Sequence, residues 1–388
     1  MRRPIPILAL LAALLGTLAA APLAAVDTVR AAIVVEPTTW TVLHSHNAHL
    51  QQPTASMIKM LNALVVMDAL DAGEVTWETP VRVSREASYV EGSQVYLKEG
   101  EVFTVHELMT AMLVKSANDA AAALAEAIGG SQEAFVERMR AKAAAMGLAE
   151  TVVHTPHGLD TVDTGVPEDR SSPWDLARMG AAVMERPELR LMAGTRLAPF
   201  RRGEFELFNP NRLLGRYPFA TGIKTGYHPS ADFCVTASAR REGMELIAVV
   251  MGAQHRLERF DAAERLLEDA FARYRLLVPV RAGEVLEQRA PVAGGRWRAV
   301  PVRAAAGVRM VVPKGAPARL DRLVSLSSQP APVATGDVVG RVVVRMEDRV
   351  VAEVPVVAAA EVPRAGAWQL LRQQVWSLLV LSTLSAPW

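Results

Sequence analysis

Residues 57–70 of this 388-residue chain are apolar almost all round a helical projection, through Met57, Ile58, Met60, Leu61, Leu64, Val65, Val66, Met67 and Leu70. A helix without a polar stripe needs protein on every side, so the chain must build a domain large enough to surround it. Lys59 stands near its head, and lysine is seldom buried without a purpose. Ser56 precedes Lys59 by three residues. A helix from about Ser56 to Leu70 therefore sets a hydroxyl and an amine on one face, within reach of each other. Burial disfavours the ammonium form, so such a lysine can shed its proton near neutral pH and accept one from a serine hydroxyl. Backbone N–H groups at the helix N-terminus also point at any oxyanion formed beside Ser56. Taken alone, this short and common pattern is better explained by a serine that caps a helix and a lysine that reaches outward.

The rest of the chain reads as blocks around this helix. Two β-prone stretches between Val34 and Leu50 flank Glu36-Pro37-Thr38-Thr39, which predicts a hairpin. Two helical segments lie between Thr104 and Gly129, the first opened by the capping box Thr104-Val105-His106-Glu107 and the second closed by Gly129-Gly130. A further helix spans Gln132 to Met146. Phe233 to Ala239 and Met244 to Met251 are β-rich and joined by Arg240-Arg241-Glu242-Gly243, a second hairpin, and a helix from Leu257 to Tyr274 follows. This order predicts an α/β (α+β) domain with an antiparallel sheet and a helical block, at about residues 26–276. Beyond Pro279 short valine-rich runs, such as Val308 to Val312 and Val338 to Val344, predict a small all-β domain at about 280–363.

The two ends differ from this pattern. Met1-Arg2-Arg3, an apolar run from Ile5 to Leu18 and small residues up to Ala24-Ala25 form a secretory signal peptide pattern at residues 1–25. The run is shorter than the ~20 residues of a spanning helix. Residues 364–388 predict an amphipathic helix over Gly366 to Leu381. It has Gln369, Gln373 and Ser377 on one face, Trp368, Leu371, Val375, Leu378 and Leu379 on the other, and Arg372 as its one charge. With Trp376 also near the apolar side, it suits an in-plane anchor on a membrane surface better than a span. The expected location is thus exported, at the periplasmic face of the cytoplasmic membrane. The balance of 42 basic against 41 acidic side chains offers no field for a polyanion, so nucleic acid is not an expected partner. Only Cys234 is present, so no intramolecular disulfide can form.

Two more elements carry candidate chemistry. Ser116-Ala117-Asn118 falls between two helices, where polar side chains can project from a tight turn into a cleft; Ser116 with Asp119 also fits a capping box. Lys224-Thr225-Gly226 follows the slim stretch Thr221-Gly222-Ile223, an edge along which a peptide could lie as an added strand. Ser56-Met57-Ile58-Lys59, Ser116-Ala117-Asn118 and Lys224-Thr225-Gly226, in this order, are the motif set of penicillin-binding proteins and class A β-lactamases. The likeness extends to Gly92-Ser93-Gln94-Val95-Tyr96-Leu97-Lys98-Glu99-Gly100, Asn118-Asp119-Ala120-Ala121, Thr155-Pro156-His157-Gly158-Leu159-Asp160 and Leu246 to Gly252. Over nearly all of residues 30–365 the chain resembles the serine D-alanyl-D-alanine carboxypeptidase family.

That resemblance implies a serine β-lactamase/transpeptidase-like fold and removal of terminal D-alanine from a peptidoglycan stem pentapeptide ending in D-Ala-D-Ala. The reaction would pass through an acyl-enzyme that β-lactam antibiotics trap. It implies Ser56 as nucleophile, Lys59 as general base, Ser116 as proton relay and Asn118 as a ligand of the substrate amide. Lys224 and Thr225, beside Gly226, would hold the terminal carboxylate, and the backbone N–H groups of Ser56 and Tyr227 would form the oxyanion hole. Arg259 falls where the family has an arginine that helps hold the carboxylate, and fits equally a solvated helix charge. Thr54 and Ile58 depart from the family's usual proline and threonine, and Asp232 from a common glycine. An endopeptidase or weak β-lactamase of the same mechanism, or a non-catalytic cell-wall-binding protein, remain alternatives. No cofactor or metal is expected: His44, His46 and His49 lack a carboxylate or cysteine at ligand spacing. Cys234 sits in an apolar strand and reads as a small buried hydrophobe.

Overall fold

The computed structural model describes residues 28–159, 165–315, 319–347 and 349–369. The expected signal peptide, and the expected terminal helix beyond Gln369, lie outside these residues. Among the described residues one compact unit runs to Arg275 and a second begins at Leu276.

The first unit is built on an antiparallel sheet. Strands β1 (Ala31–Glu36) and β2 (Thr41–His46) form the first hairpin, and β3 (Ala220–His228), β4 (Asp232–Arg241) and β5 (Met244–Ala253) complete the spatial order β2-β1-β5-β4-β3. The β4–β5 turn places Glu242 at φ 50 and Gly243 at φ 80, the left-handed pair that a two-residue hairpin needs. β5 is buried at every position from Leu246 to Ala253, so both of its faces must be covered. The helices α5 (Pro173–Glu185) and α6 (Glu258–Arg273) pack on it.

The helical block is formed by α1 (Lys59–Asp71), α2 (Val105–Thr110), α3 (Asn118–Gly129) and α4 (Gln132–Ala145). The apolar helix of the sequence begins one turn later than its pattern suggests. Ala55–Ile58 is a 3₁₀ turn, and regular α1 starts at Lys59. Its residues from Lys59 to Met67 are all buried, and α3, α4 and α5 pack around it. Thr104 caps α2 through a reciprocal box with Glu107, and α3 ends at Gly130 with φ 81.

In the second unit a six-stranded sheet has the order β8-β10-β11-β7-β6-β9. Its strands are β6 (Val285–Ala293), β7 (Ala299–Ala304), β8 (Leu320–Leu326), β9 (Gln329–Pro330), β10 (Val338–Met346) and β11 (Arg349–Ala358). Val339, Val342, Val344, Val354 and Val356 turn one face inward to a valine core, while Val338, Arg341 and Arg345 are exposed.

Because α1 is enclosed on all sides, the cavity left by Leu61→Ala should destabilise the first unit by about 2–5 kcal/mol. Urea denaturation monitored by tryptophan fluorescence should show a lower midpoint at unchanged slope; a shift within error would mean that α1 is not the enclosed element described.

Candidate active site

Three chain segments meet at the head of α1. The Lys59 amine is fully buried and has three oxygens around it: Ser56 Oγ at 2.8 Å, Asn118 Oδ1 at 2.6 Å and the carbonyl of His157 at 2.7 Å. The orientation of the Asn118 amide follows from its other end, since Nδ2 donates to the Glu91 carbonyl at 2.6 Å. Asn118 Oδ1 and the His157 carbonyl can only accept. An ammonium would give its third hydrogen to Ser56 Oγ, whereas a neutral amine gives its two hydrogens to these acceptors and has its lone pair for the Ser56 hydroxyl, so the shell admits both forms. Burial holds Lys59 well below the ordinary lysine range, and the charge of Lys224 adds to the effect. The neutral form is thus favoured by burial and fits the hydrogen-bond geometry.

Two glycines allow the backbones to close on the nucleophile. Gly158 has φ 85, and a Cβ there would come within 2.1 Å of the Ala55 carbonyl oxygen. Gly226 of β3 lies against Thr54, where a Cβ would meet the carbonyl oxygen at 2.6 Å. Only glycine admits these approaches, which bring the His157 loop and the end of β3 against the Ser56 turn. Tyr227 follows Gly226 directly and is half exposed.

Ser116 occupies the left-handed region at φ 68, at the end of a π-helical turn over Ala111–Lys115. Such turns often mark functional positions. The capping role left open for Ser116 is not adopted: Ala117 is the residue at the α3 N-cap position, with no side-chain cap. The Ser116 hydroxyl instead accepts a hydrogen bond from Lys224 Nζ at 2.7 Å, and the same amine donates to the Thr225 carbonyl at 3.0 Å. Lys224 is buried, which, with Arg259 nearby, pushes it down to about 7.

Arg259 is 4% exposed, so the reading as a solvated helix charge is excluded. Its guanidinium donates to the carbonyls of Gly226, at 2.8 Å, and Cys234, at 3.2 Å, and lies 4.6 Å from the Phe260 ring centre. Burial lowers it to about 10. Lys224 and Arg259 thus stand together with neutral oxygens as partners, and no carboxylate among the described residues pairs with either. Two desolvated cations without a counter-ion make a place for an anion.

Three buried groups have roles that the sequence did not assign to them. Asp119 accepts from the backbone N–H groups of Val95 and Leu97, and so fixes the loop that follows Glu91. Asp169 accepts from the N–H groups of His154 and Thr155 and from the Thr155 hydroxyl, which itself accepts from Gly158 N–H. That chain of bonds holds the carbonyl of His157 toward Lys59. The His157 ring is pushed down to about 3 by burial and by Lys59, and is neutral. No periodicity signals a carboxylate that caps a distant loop; the one available cue was an acidic residue directly after the Ser116-Ala117-Asn118 motif.

Asp232 sits at φ 55, a conformation that favours the glycine it replaces, and Arg30 clasps its carboxylate. Cys234 is fully buried, and burial raises its thiol to about 11. His49 pairs with Glu150 at 2.8 Å, away from His44 and His46 on β2.

Residues 19–255 match the family described as D-alanyl-D-alanine carboxypeptidase, and residues 274–364 match the C-terminal domain of penicillin-binding protein 5. The D-alanyl-D-alanine carboxypeptidase DacF of Bacillus subtilis is 32% identical over 334 residues, 85% of this chain and 84% of its own. Penicillin-binding protein 5 from Haemophilus influenzae superposes with a TM-score of 0.71 at 28% identity, covering 87% of this chain and 98% of that one. Penicillin-binding protein D2 from Listeria monocytogenes, in its ampicillin-bound form, has a TM-score of 0.58 at 28% identity, over 63% of this chain and 97% of that one.

The depressed Lys224 has a thermodynamic consequence. Between its folded value of about 7 and the unfolded value of 10.5, the unfolded chain binds more protons, so stability rises with pH through that window. Below the window the full cost of burying the cation is present. Lys224→Met should flatten the rise in unfolding free energy measured in urea between pH 7 and 10; an unchanged slope would show that Lys224 is protonated throughout.

Proposed function

The chain belongs to the D-alanyl-D-alanine carboxypeptidase family, and from that membership we propose how its own residues divide the reaction. The enzyme is a serine hydrolase that removes the terminal D-alanine of peptidoglycan stem peptides, within a family that binds β-lactams. The observation that supports the division of labour best is the buried Lys59 amine 2.8 Å from Ser56 Oγ, with its other two partners limited to accepting.

Ser56 Oγ attacks the penultimate D-alanine carbonyl while its proton moves to Lys59 Nζ. Backbone N–H groups of Ser56 and Tyr227 receive the oxyanion. Lys224 and Arg259, with Thr225 and Gly226 on the same strand, supply the counter-charge that the terminal carboxylate lacks in water. Ser116, already bonded to Lys224, relays the proton now on Lys59 to the leaving amine as the C–N bond breaks, which returns Lys59 to its neutral form, and Asn118 is the ligand of the substrate amide. D-Alanine leaves, and an ester joins Ser56 to the stem peptide. A water molecule gives a proton to the neutral Lys59 as it attacks that ester, and the same proton passes to Ser56 Oγ as the ester bond breaks. A β-lactam ring opened by the same attack keeps its amine tethered, so the ester persists.

The location is part of the same proposal. A leader at residues 1–25 exports the chain, and the apolar segment after Gly366 holds it at the periplasmic membrane face. No helix among the described residues is long and apolar enough to cross a membrane.

Ser56→Ala should abolish labelling by a fluorescent penicillin and D-alanine release from a stem pentapeptide, and Lys59→Ala should slow acylation by about 10²–10⁴-fold. Retained labelling of Ser56→Ala would sink the assignment. The profile of kcat/KM against pH should be bell-shaped. It rises as Lys59 loses its proton and falls as Lys224, at about 7 in the free enzyme, loses its charge. Lys224→Arg, which stays charged, should move the alkaline limb upward; a limb that stays put would assign it to another group. Deleting residues 366–388 should release a soluble enzyme of unchanged turnover, and undiminished membrane retention would refute the anchor.

A further inference from the structure

The tip of the β6–β7 hairpin, Gly294-Gly295-Arg296-Trp297-Arg298, carries an unusual group of side chains for a loop of the second unit. Trp297 is 53% exposed, Arg296 and Arg298 are exposed, and the Arg296 guanidinium lies 5.4 Å from the Trp297 ring centre. The segment that follows the last strand is stitched onto this tip. Arg296 N–H donates to the Pro363 carbonyl and Ala365 N–H to the Gly294 carbonyl, both at 2.9 Å, and Gly295 bridges to Arg364. Gln369 Nε2 then donates to the Arg296 carbonyl at 2.8 Å, and Trp368 beside it is 80% exposed. Arg364 is exposed as well. Two solvent-facing tryptophans and three arginines therefore share one end of the unit.

A chain whose basic and acidic residues nearly cancel has no general reason to gather cations there. The sequence that leaves this point, from Leu370 onward, is apolar with Arg372 as its one charge. Tryptophan with one apolar and one polar edge favours the headgroup layer of a bilayer, and arginine pairs bidentately with lipid phosphate. We propose that the loop Gly294–Arg298 is a second membrane contact, seated among anionic lipid headgroups with Arg296 and Arg298 on phosphates and Trp297 at the interface. This rests on the reading that the segment after Gly366 lies in that interface, and adds to it a lipid class and a folded partner. Because Pro363, Ala365 and Gln369 are bonded to the tip, the two contacts meet the surface side by side.

The test uses the full chain in sedimentation with vesicles of phosphatidylcholine alone and with phosphatidylglycerol added. The double variant Arg296→Gln/Arg298→Gln should bind the anionic vesicles about 30-fold more weakly, at roughly fivefold per arginine. It should lose most of the salt dependence and bind neutral vesicles as the parent does. Trp297→Ala should weaken binding to both. An equal urea midpoint for parent and variants checks that the exposed substitutions leave the fold intact. A double variant that binds anionic vesicles as tightly as the parent, with the same salt response, overturns the loop contact and leaves the anchor standing. A parent that binds neither vesicle overturns both. Retention of the parent by isolated anionic wall polymer but not by vesicles, lost in the double variant, overturns the lipid assignment in favour of a wall ligand.

Discussion

The burial of one amine organises the catalytic unit. An ammonium group moved away from water without compensation is severely destabilised, so Lys59 persists at the head of α1 because three oxygens surround it. Two of them can only accept while the Ser56 hydroxyl can accept or donate, so the shell suits either form of the amine, and burial favours the neutral one. The same geometry that makes burial tolerable points the lone pair at Ser56. The reactive pair and the packing of the core are therefore one arrangement rather than two.

Keeping that arrangement needs rigid walls, and backbone contacts supply them. Gly158 and Gly226 let two loops approach the Ser56 turn more closely than any side chain permits. Asp169 holds the Gly158 loop from behind and Asp119 the loop that follows Glu91, each by accepting from backbone N–H groups. Burial raises the pKa of both carboxyls while these N–H donors pull the other way. On the far side of the cleft, Lys224 and Arg259 concentrate positive charge with neutral oxygens around it, so the site is electrostatically incomplete until an anion arrives. A substrate with a C-terminal carboxylate supplies what the fold withholds.

Most of the framework could be read before any coordinates, for local reasons. The two hairpins announced themselves through turn chemistry, α2 through the Thr104–Glu107 box, and the β-rich unit through valine alternation. These signals depend on neighbours within a few residues. The roles of Asp119, Asp169 and the carbonyl of His157 could not be read there because their partners come from other loops and no spacing rule connects them. Ser116 was ambiguous for the same reason: a serine before a helix reads as a cap until Lys224, 108 residues away, is seen to hold it.

The sequence by itself determined that a helix apolar on every side would be buried, with Ser56 and Lys59 within reach of each other at its head. Its resemblance to a known family identified the reaction. Only the tertiary structure decided that Lys59 has two obligate acceptors and one hydroxyl around it, that Arg259 is buried on the carbonyls of Gly226 and Cys234, and that an arginine–tryptophan tip lies beside the departing C-terminal segment. The physical reason is range. Periodicity and capping are properties of a few consecutive residues, whereas the bonds from Lys59 to Asn118 and His157 cross 59 and 98 positions. They exist only once the intervening chain has folded.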